Sequence, residues 1–206
     1  MNHANVLNLI EVNMNNMKVS LCERNEIKDF VEKWHYSGNM NGVISTYCFK
    51  LEYNGNLIGA MVFGWLAMAN TWKKYVNKRE DLIELRRLCC IDDTPKNTES
   101  YFIGKCLRWL KNNTNIKKVL SYADAEFNHQ GIIYQATNFK KLGMTPKGRV
   151  IMWKRKRYHD KTIRTFHNGK LKPYALNLKK ALEKGEAKYK ITKGKHIYLY
   201  TLRRKW

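Results

Sequence analysis

The hydrophobic pattern changes period several times along the chain, and each change predicts an element. MKVSLC (17–22) reads as a strand. In NEIKDFVEKWHY (25–36), Ile27, Phe30, Val31 and Trp34 recur at helical spacing behind a candidate cap at Asn25. That predicts an amphipathic helix delivering His35 and Tyr36 at its end. STYCFKLEY and NLIGAMVFGW then read as two strands joined at Asn54-Gly55, a strong hairpin signal. After a variable connection, DLIELRRLCCI (81–91) predicts a strand, broken by the proline turn DDTPKNTES.

From near Ser100, Phe102, Ile103, Cys106, Leu107 and Leu110 share one helical face. KKVLSYAD predicts a strand, GIIYQATNFKKLG a helix stopped by Gly143, and RVIMWKRK a further strand. The last segment predicts a turn (FHNGKLKPY), a short helix (LNLKKALEKG) and a hairpin (KYKITKGKHIYLYTL) turning at Lys193-Gly194. Hairpin, strand, helix, strand, helix, strand implies an α/β (α+β) mixed central sheet flanked by helices. The expected organisation is a catalytic domain over 1–154 and a basic C-terminal extension over 155–206 packed on it.

Charge narrows the function. Lys and Arg number 39 against 17 Asp and Glu, a formal +22, which suits a polyanion such as DNA better than a small neutral substrate. From Arg155 onward, seventeen Lys and Arg face only Asp160, Glu183 and Glu186, so +14 of that charge lies in the last quarter. Aromatic residues interleave there as stacking platforms would. Arg155, Arg157, Lys161, Arg164, Lys170 and Lys172 are the candidate DNA contacts. The opening residues lack a secretory pattern, and no apolar run reaches the ~18 residues of a membrane span. The expectation is a soluble, cytoplasmic protein. Five cysteines without a C-x-x-C pair read as reduced core thiols.

The candidate chemistry lies where strands hand over to helices, at DDTPKNTES and at SYADAEFNHQGIIYQATNF (121–139), because side chains at strand ends converge on the crevice of an open sheet. Asp124 is either a general base or a loop capping carboxylate. His35 is either a proton shuttle or a helix-end histidine, and Ser100 either a cap or a hydroxyl facing substrate. Tyr134, Gln135 and Asn138, on one predicted helix, could read a planar base by stacking and amide hydrogen bonds, or could be a half-buried helix surface. Glu84, Arg86 and Arg87 read as strand-surface ion pairs. His35 and Asp124 stand too far apart to show ligand spacing, so no metal is assigned.

The ordered set ELRRL (84–88), D-x-x-P-x-N-T-E-S ending at Ser100, SYAD (121–124) and H-x-G-x-I-Y-Q-A-x-N-F (129–139) resembles the phage Mom DNA-modification family, as does the upstream His35-Tyr36 pair. The resemblance implies a GNAT-like acyltransferase fold. It implies conversion of adenine in phage DNA to N6-carbamoylmethyladenine, which shields the genome from host restriction. It carries catalytic roles onto His35, Tyr36, Ser100 and Asp124, with Tyr47 and Tyr53 as candidates for a further tyrosine. Asn97, Glu99, Tyr122, His129, Tyr134, Gln135 and Asn138 become candidate substrate contacts, and Tyr36, Tyr122 and Tyr134 would line the pocket for a flipped base.

One departure bears on the donor. GNAT enzymes seat the coenzyme A pyrophosphate on a glycine-containing loop at a helix start, whereas DDTPKNTES offers two Asp, a Pro and no Gly. This disfavours acetyl-coenzyme A. Chemistry offers another donor: glycyl transfer to the adenine amine followed by rearrangement would give the same product, with activated glycine, such as glycyl-tRNA, as donor. The rival readings are an ordinary acetyltransferase, which would bind acetyl-coenzyme A and leave DNA unmodified, and a non-catalytic nucleic-acid-binding protein, which would tolerate Asp124→Ala.

Overall fold

A computed structural model describes residues 16–66 and 70–202. The chain divides into two compact units. The first comprises residues up to Tyr122, Gly131–Leu142 and the segment from Tyr198; the second comprises Ala123–Gln130 and Gly143–Ile197. The boundary expected at 154/155 falls in the two-residue turn of a hairpin inside the second unit, where Lys154 and Arg155 both take positive φ.

In the first unit, β1 (Met17–Cys22), β2 (Tyr47–Tyr53), β3 (Asn56–Gly64) and β4 (Leu82–Cys90) form an antiparallel run, and β4 pairs in parallel with β5 (Lys118–Asp124). The Asn54-Gly55 turn joins β2 to β3, both residues at positive φ as such a turn requires. Strand alternation puts successive residues on opposite faces. Cys48, Ala60 and Val62 pack with Ile27 and Val31 of α1 (Arg24–Trp34). On the other parity, Phe49 meets Trp109 of α2 (Thr98–Asn113) edge-on at 5.3 Å. The helices therefore cover the two faces of one sheet.

Three local expectations are corrected. Helix α1 begins at Arg24, not behind Asn25: Glu26 accepts the Glu23 backbone N–H at 2.7 Å, which satisfies an orphan donor ahead of the helix. The helix expected to run to Gly143 stops after one turn. α3 spans Ile132–Ala136, Asn138 takes φ 65°, and β6 (Lys140–Met144) follows as a strand. Tyr134 and Asn138 therefore do not share a helical face. The hairpin expected at Lys193-Gly194 is also absent: β9 (Lys188–Ile191) pairs with β7 (Arg149–Trp153), while β10 (Lys195–Thr201) stands between β5 and β6 in the large sheet.

The second unit has its own core. β7 lies between β8 (Lys156–His159) and β9, and Ile151 packs on Leu178 and Ala181, which lie three residues apart on one face of α4 (Pro173–Glu183). Proline at the first helical position sets the start of α4, earlier than the apolar pattern suggests. Among the described residues no helix is long and apolar enough to cross a membrane.

Candidate active site

The site on the first unit is built around an opening between β4 and β5. Their parallel register ends at Leu85 opposite Ser121. Opposite β3, Val62 pairs with Arg87 and Phe63 with Leu85, so Arg86 is an extra residue, a bulge. A bulge bends its strand and re-aims the side chains beside it. Here it falls where β4 leaves β5, and it leaves Arg86 without a partner on β3 while Arg87 stays paired with Val62.

Arg86 makes the expected ion pair with Glu84, at 3.3 Å, and also donates to the Trp65 carbonyl. Arg87 departs from expectation: its guanidinium donates to the Arg86 and Asn39 carbonyls, and its buried Nε has no hydrogen-bond partner. Burial holds its pKa below the usual arginine value, opposed by the neighbouring Tyr36. Arg87 is thus a cation kept partly dehydrated beside a candidate catalytic tyrosine.

His35 caps the C-terminus of α1, and its extended backbone (φ −83°, ψ 136°) turns the chain out of the helix. The side chain is buried, and its Nδ1 accepts the Ser37 backbone N–H at 3.1 Å and lies 2.8 Å from the Ser37 hydroxyl. An Nδ1 that accepts places the proton of the neutral ring on Nε2. His35 in this state offers a donor at Nε2. The Tyr36 ring lies 4.3 Å from it, tilted, and is 43% exposed, so one partner faces the interior and the other solvent.

Tyr134 joins the same region from α3. Burial pushes its pKa up to about 12 against the lowering effect of a hydrogen bond to Ser121, and Tyr36, Glu99 and Glu84 lie near enough for their charges to act on it. Burial likewise raises Tyr122, with Glu84 again a contributor. Both phenols stay protonated and act as hydrogen-bond donors at neutral pH. The structure therefore gathers Tyr36, Glu84, Arg87, Glu99, Ser121 and Tyr134 in one unit. Ser121 is not singled out as a site residue by the sequence, and Arg87 reads there only as a strand-surface ion-pair residue, because only the structure shows that β4 and β5 part at this point.

Tyr198 anchors α3. Its ring lies 5.2 Å from that of Tyr134, and its hydroxyl accepts from Gln135 Nε2 at 3.2 Å. Gln135 thus spends an amide proton on the fold. Asn138 instead lines a cavity of about 430 Å³ with Ser100, Thr137, Arg108 and Lys111. Ser100, Gly104, Arg108 and Lys111 recur at helical spacing along α2, a signal readable in the sequence. At the start of α2, Asn97 is the N-cap residue at φ 68° without a side-chain cap bond, and the Thr98 hydroxyl turns back to the Pro95 carbonyl at 2.7 Å. Ser100 lies inside the first turn of that helix, not at its cap.

Asp124 and His129 belong to the second unit. Asp124 closes β5, is 6% exposed, accepts the Glu126 backbone N–H at 3.1 Å and pairs with Lys195 at 3.2 Å. The capping geometry is present, and the carboxylate is also charge-paired. The His129 backbone N–H donates to the Asp124 carbonyl, which closes the loop. Of the candidate DNA contacts, Arg164 pairs with the buried Asp160, which also holds Arg149 at 3.3 Å. Arg157 lies over the Phe127 ring, and Arg155 is in the β7–β8 turn. Among the described residues, no group of three or more His, Cys, Asp or Glu could hold a metal ion. The five cysteines are free thiols.

Comparison with known proteins adds two findings. A sequence model of the Mom protein family matches residues 16–206. The chain is similar to the methylcarbamoylase Mom of Escherichia phage Mu, 28% identical over 120 residues, which is 56% of this chain and 49% of that protein. The chain thus matches about half the length of that relative. In structure it is similar to the ribosomal-protein-S18-alanine N-acetyltransferase of Escherichia coli (TM-score 0.52, 9% identity, 92% and 96% of the two chains). It is also similar to an N-acetyltransferase from Staphylococcus aureus Mu50 (TM-score 0.51, 12% identity, 91% and 99%). The fold is that of the GNAT acyltransferases.

Proposed function

The chain belongs to the Mom protein family, and on that premise we propose that it is a DNA-modifying transferase that converts adenine to N6-carbamoylmethyladenine. The observation that carries this reading is the family match across residues 16–206, on a chain of formal charge +22. In phage DNA the modification would protect the genome from host restriction. The substrate is double-stranded DNA, so the target adenine leaves its stack to reach the protein. Tyr36 is the exposed aromatic that receives it, with the protonated hydroxyls of Tyr122 and Tyr134 as donors to its ring nitrogens. Asn97, Glu99, His129 and Asn138 complete the proposed substrate contacts.

The chemistry we favour is acyl transfer followed by rearrangement. The adenine N6 amine attacks the carbonyl of an activated glycine, losing a proton, and the donor's leaving group departs. The glycyl amine then attacks ring carbon C6, and the original C6–N6 bond breaks. The displaced nitrogen becomes the carboxamide, so the product holds the same atoms as a carbamoylmethylamine. In this scheme Asp124 takes the proton, and His35 Nε2–H and the Ser100 hydroxyl donate to the oxyanion. The partly dehydrated Arg87 adds positive charge near that oxygen.

Coenzyme A fits this chain poorly. Asp92, Asp93 and Glu99 flank the start of α2, and the Thr98 N–H is already bonded to the Pro95 carbonyl, so a pyrophosphate would meet carboxylates and one fewer free donor. A glycyl ester on a ribonucleotide end, as in glycyl-tRNA, would instead place phosphates toward Arg108 and Lys111 of the cavity on α2.

The test is mass spectrometry of nucleosides from plasmid DNA propagated with the wild-type protein and with Asp124→Ala. A heavier adenine species carrying one glycyl-equivalent unit, absent with the variant, is expected; unmodified DNA with the wild-type protein in a donor-competent host would refute the reading. Isotopic glycine should label the modified base, and an unlabelled base would exclude the glycine route.

A further inference from the structure

The second unit holds a small cavity of about 210 Å³ lined by His159, Lys161, Thr162, His167, Lys172 and Tyr174, among others. Its volume lies below the roughly 300–1,000 Å³ of pockets that enclose a whole small molecule. Lys161 and Lys172 bring charge to a lining that is otherwise partly apolar, the two histidines, Thr162, Thr165 and Tyr174 bring polar groups, and none of the lining residues is acidic. Such a space suits one compact anionic group.

The donors are held in place by the local chain. His159 Nδ1 accepts the Lys161 backbone N–H at 3.0 Å, so the neutral ring carries its proton on Nε2. Partial desolvation of the ring, with Lys161, Arg157 and Arg164 beside it, lowers the His159 pKa and so favours the neutral ring. Asp160, the one acid that opposes this, pairs through one carboxylate oxygen, Oδ2, with both Arg149 and Arg164. His167 is fixed by a tight Asn168-Gly169 turn, where its backbone exchanges both hydrogen bonds with Lys170 at 2.8 and 3.0 Å. Lys172 and Tyr174 bracket Pro173 at the start of α4, whose buried face packs in the core of this unit.

We infer that this cavity is a socket for a single phosphate of the DNA backbone, in which Lys161 and Lys172 supply charge and His159, Thr162 and Tyr174 supply directional hydrogen bonds. The assignment to DNA rests on the function proposed above; the affinity for phosphate does not. A socket differs from a diffuse basic surface because it fixes the register of the duplex on the protein. Four of its residues, His159, Thr162, His167 and Tyr174, lie outside the set of basic contacts expected from the sequence.

The test uses the full chain with ¹³C-labelled histidine. Inorganic phosphate should shift the His159 and His167 ring signals saturably, and chloride at matched ionic strength should not. Lys172→Gln, with an unchanged far-UV spectrum, should weaken phosphate binding about tenfold. A short DNA duplex should move the same two signals, and the variant should lower the salt slope of duplex binding by about one. Imidazole signals that ignore phosphate would overturn the socket, even if the protein modifies DNA in cells. Shifts with phosphate and with a structured RNA but not with duplex would overturn the assignment to DNA. A socket that binds phosphate in a protein that leaves DNA unmodified would place the failure on the proposed function.

Discussion

Replacing Gly131 by alanine tests the idea that α3 is pinned to the sheet by Tyr198. Gly131 has φ +72°, and a Cβ built there would lie 2.3 Å from Tyr198 Cε2, 2.6 Å from Cζ and 2.9 Å from the hydroxyl oxygen. The left-handed backbone costs an L-residue about 1–2 kcal/mol. Tyr198 is fully buried, so its ring has no space to swing into, and overpacking of that kind costs about 1–3 kcal/mol. The two effects together predict a loss of about 2–5 kcal/mol, a large share of the ~5–15 kcal/mol that holds a domain folded. Urea unfolding followed by tryptophan fluorescence measures it. A double-mutant cycle separates the causes: with Tyr198→Leu the clash is relieved, and Gly131→Ala should then cost only the backbone share of about 1–2 kcal/mol. A loss below about 1 kcal/mol in the wild-type background, or equal losses in both backgrounds, would refute the reasoning. Because Tyr134 sits on α3 and packs at a tilt against Tyr198, DNA modification per folded molecule should fall as well.

Three further outcomes are expected. Burial raises the Cys89 and Cys90 thiols to about 12, so at pH 8 only about one molecule in ten thousand carries either thiolate, and the native protein should react far more slowly with a disulfide reagent than the urea-unfolded one. Rapid native labelling of either cysteine would contradict this. Tyr134 ionises near 12 when folded against about 10 when unfolded, so the folded state holds the proton more tightly; its contribution is complete below about pH 10 and is lost as pH rises from there toward 12. Tyr134→Phe should therefore flatten the alkaline side of the stability curve, and an unchanged slope would argue against a buried phenol. Neutralising Arg155, Arg157, Lys161 and Arg164 together should reduce the salt slope of DNA binding by about 3, because Arg164 is already paired with Asp160 and contributes little. A reduction near zero would move the DNA face elsewhere.

The amino-acid pattern was sufficient for elements whose partners lie close in sequence or whose apolar face is unambiguous. The β2–β3 hairpin follows from Asn54-Gly55, α2 from the stripe Phe102, Ile103, Cys106, Leu107 and Leu110, and the strand character of Cys89 and Cys90 from the run around them. The ordered motifs from Glu84 to Phe139 likewise carry the family resemblance. The site was less legible. Residues 132–142 carry an apolar spacing compatible with a helix, yet the chain turns at Asn138 and gives residues 140–144 to a strand, because the neighbouring β10 supplies backbone hydrogen-bonding partners that no local window contains. Sequence placed β9 and β10 together across Lys193-Gly194, while the structure sends them to different sheets for the same reason. The raised Tyr134 phenol, the Gln135 bond to Tyr198 and the bulge at Arg86 are also consequences of contacts between residues far apart in the chain. Periodicity determines which face of an element is apolar; which element covers that face, and how dry its polar groups become, is decided only when distant segments meet.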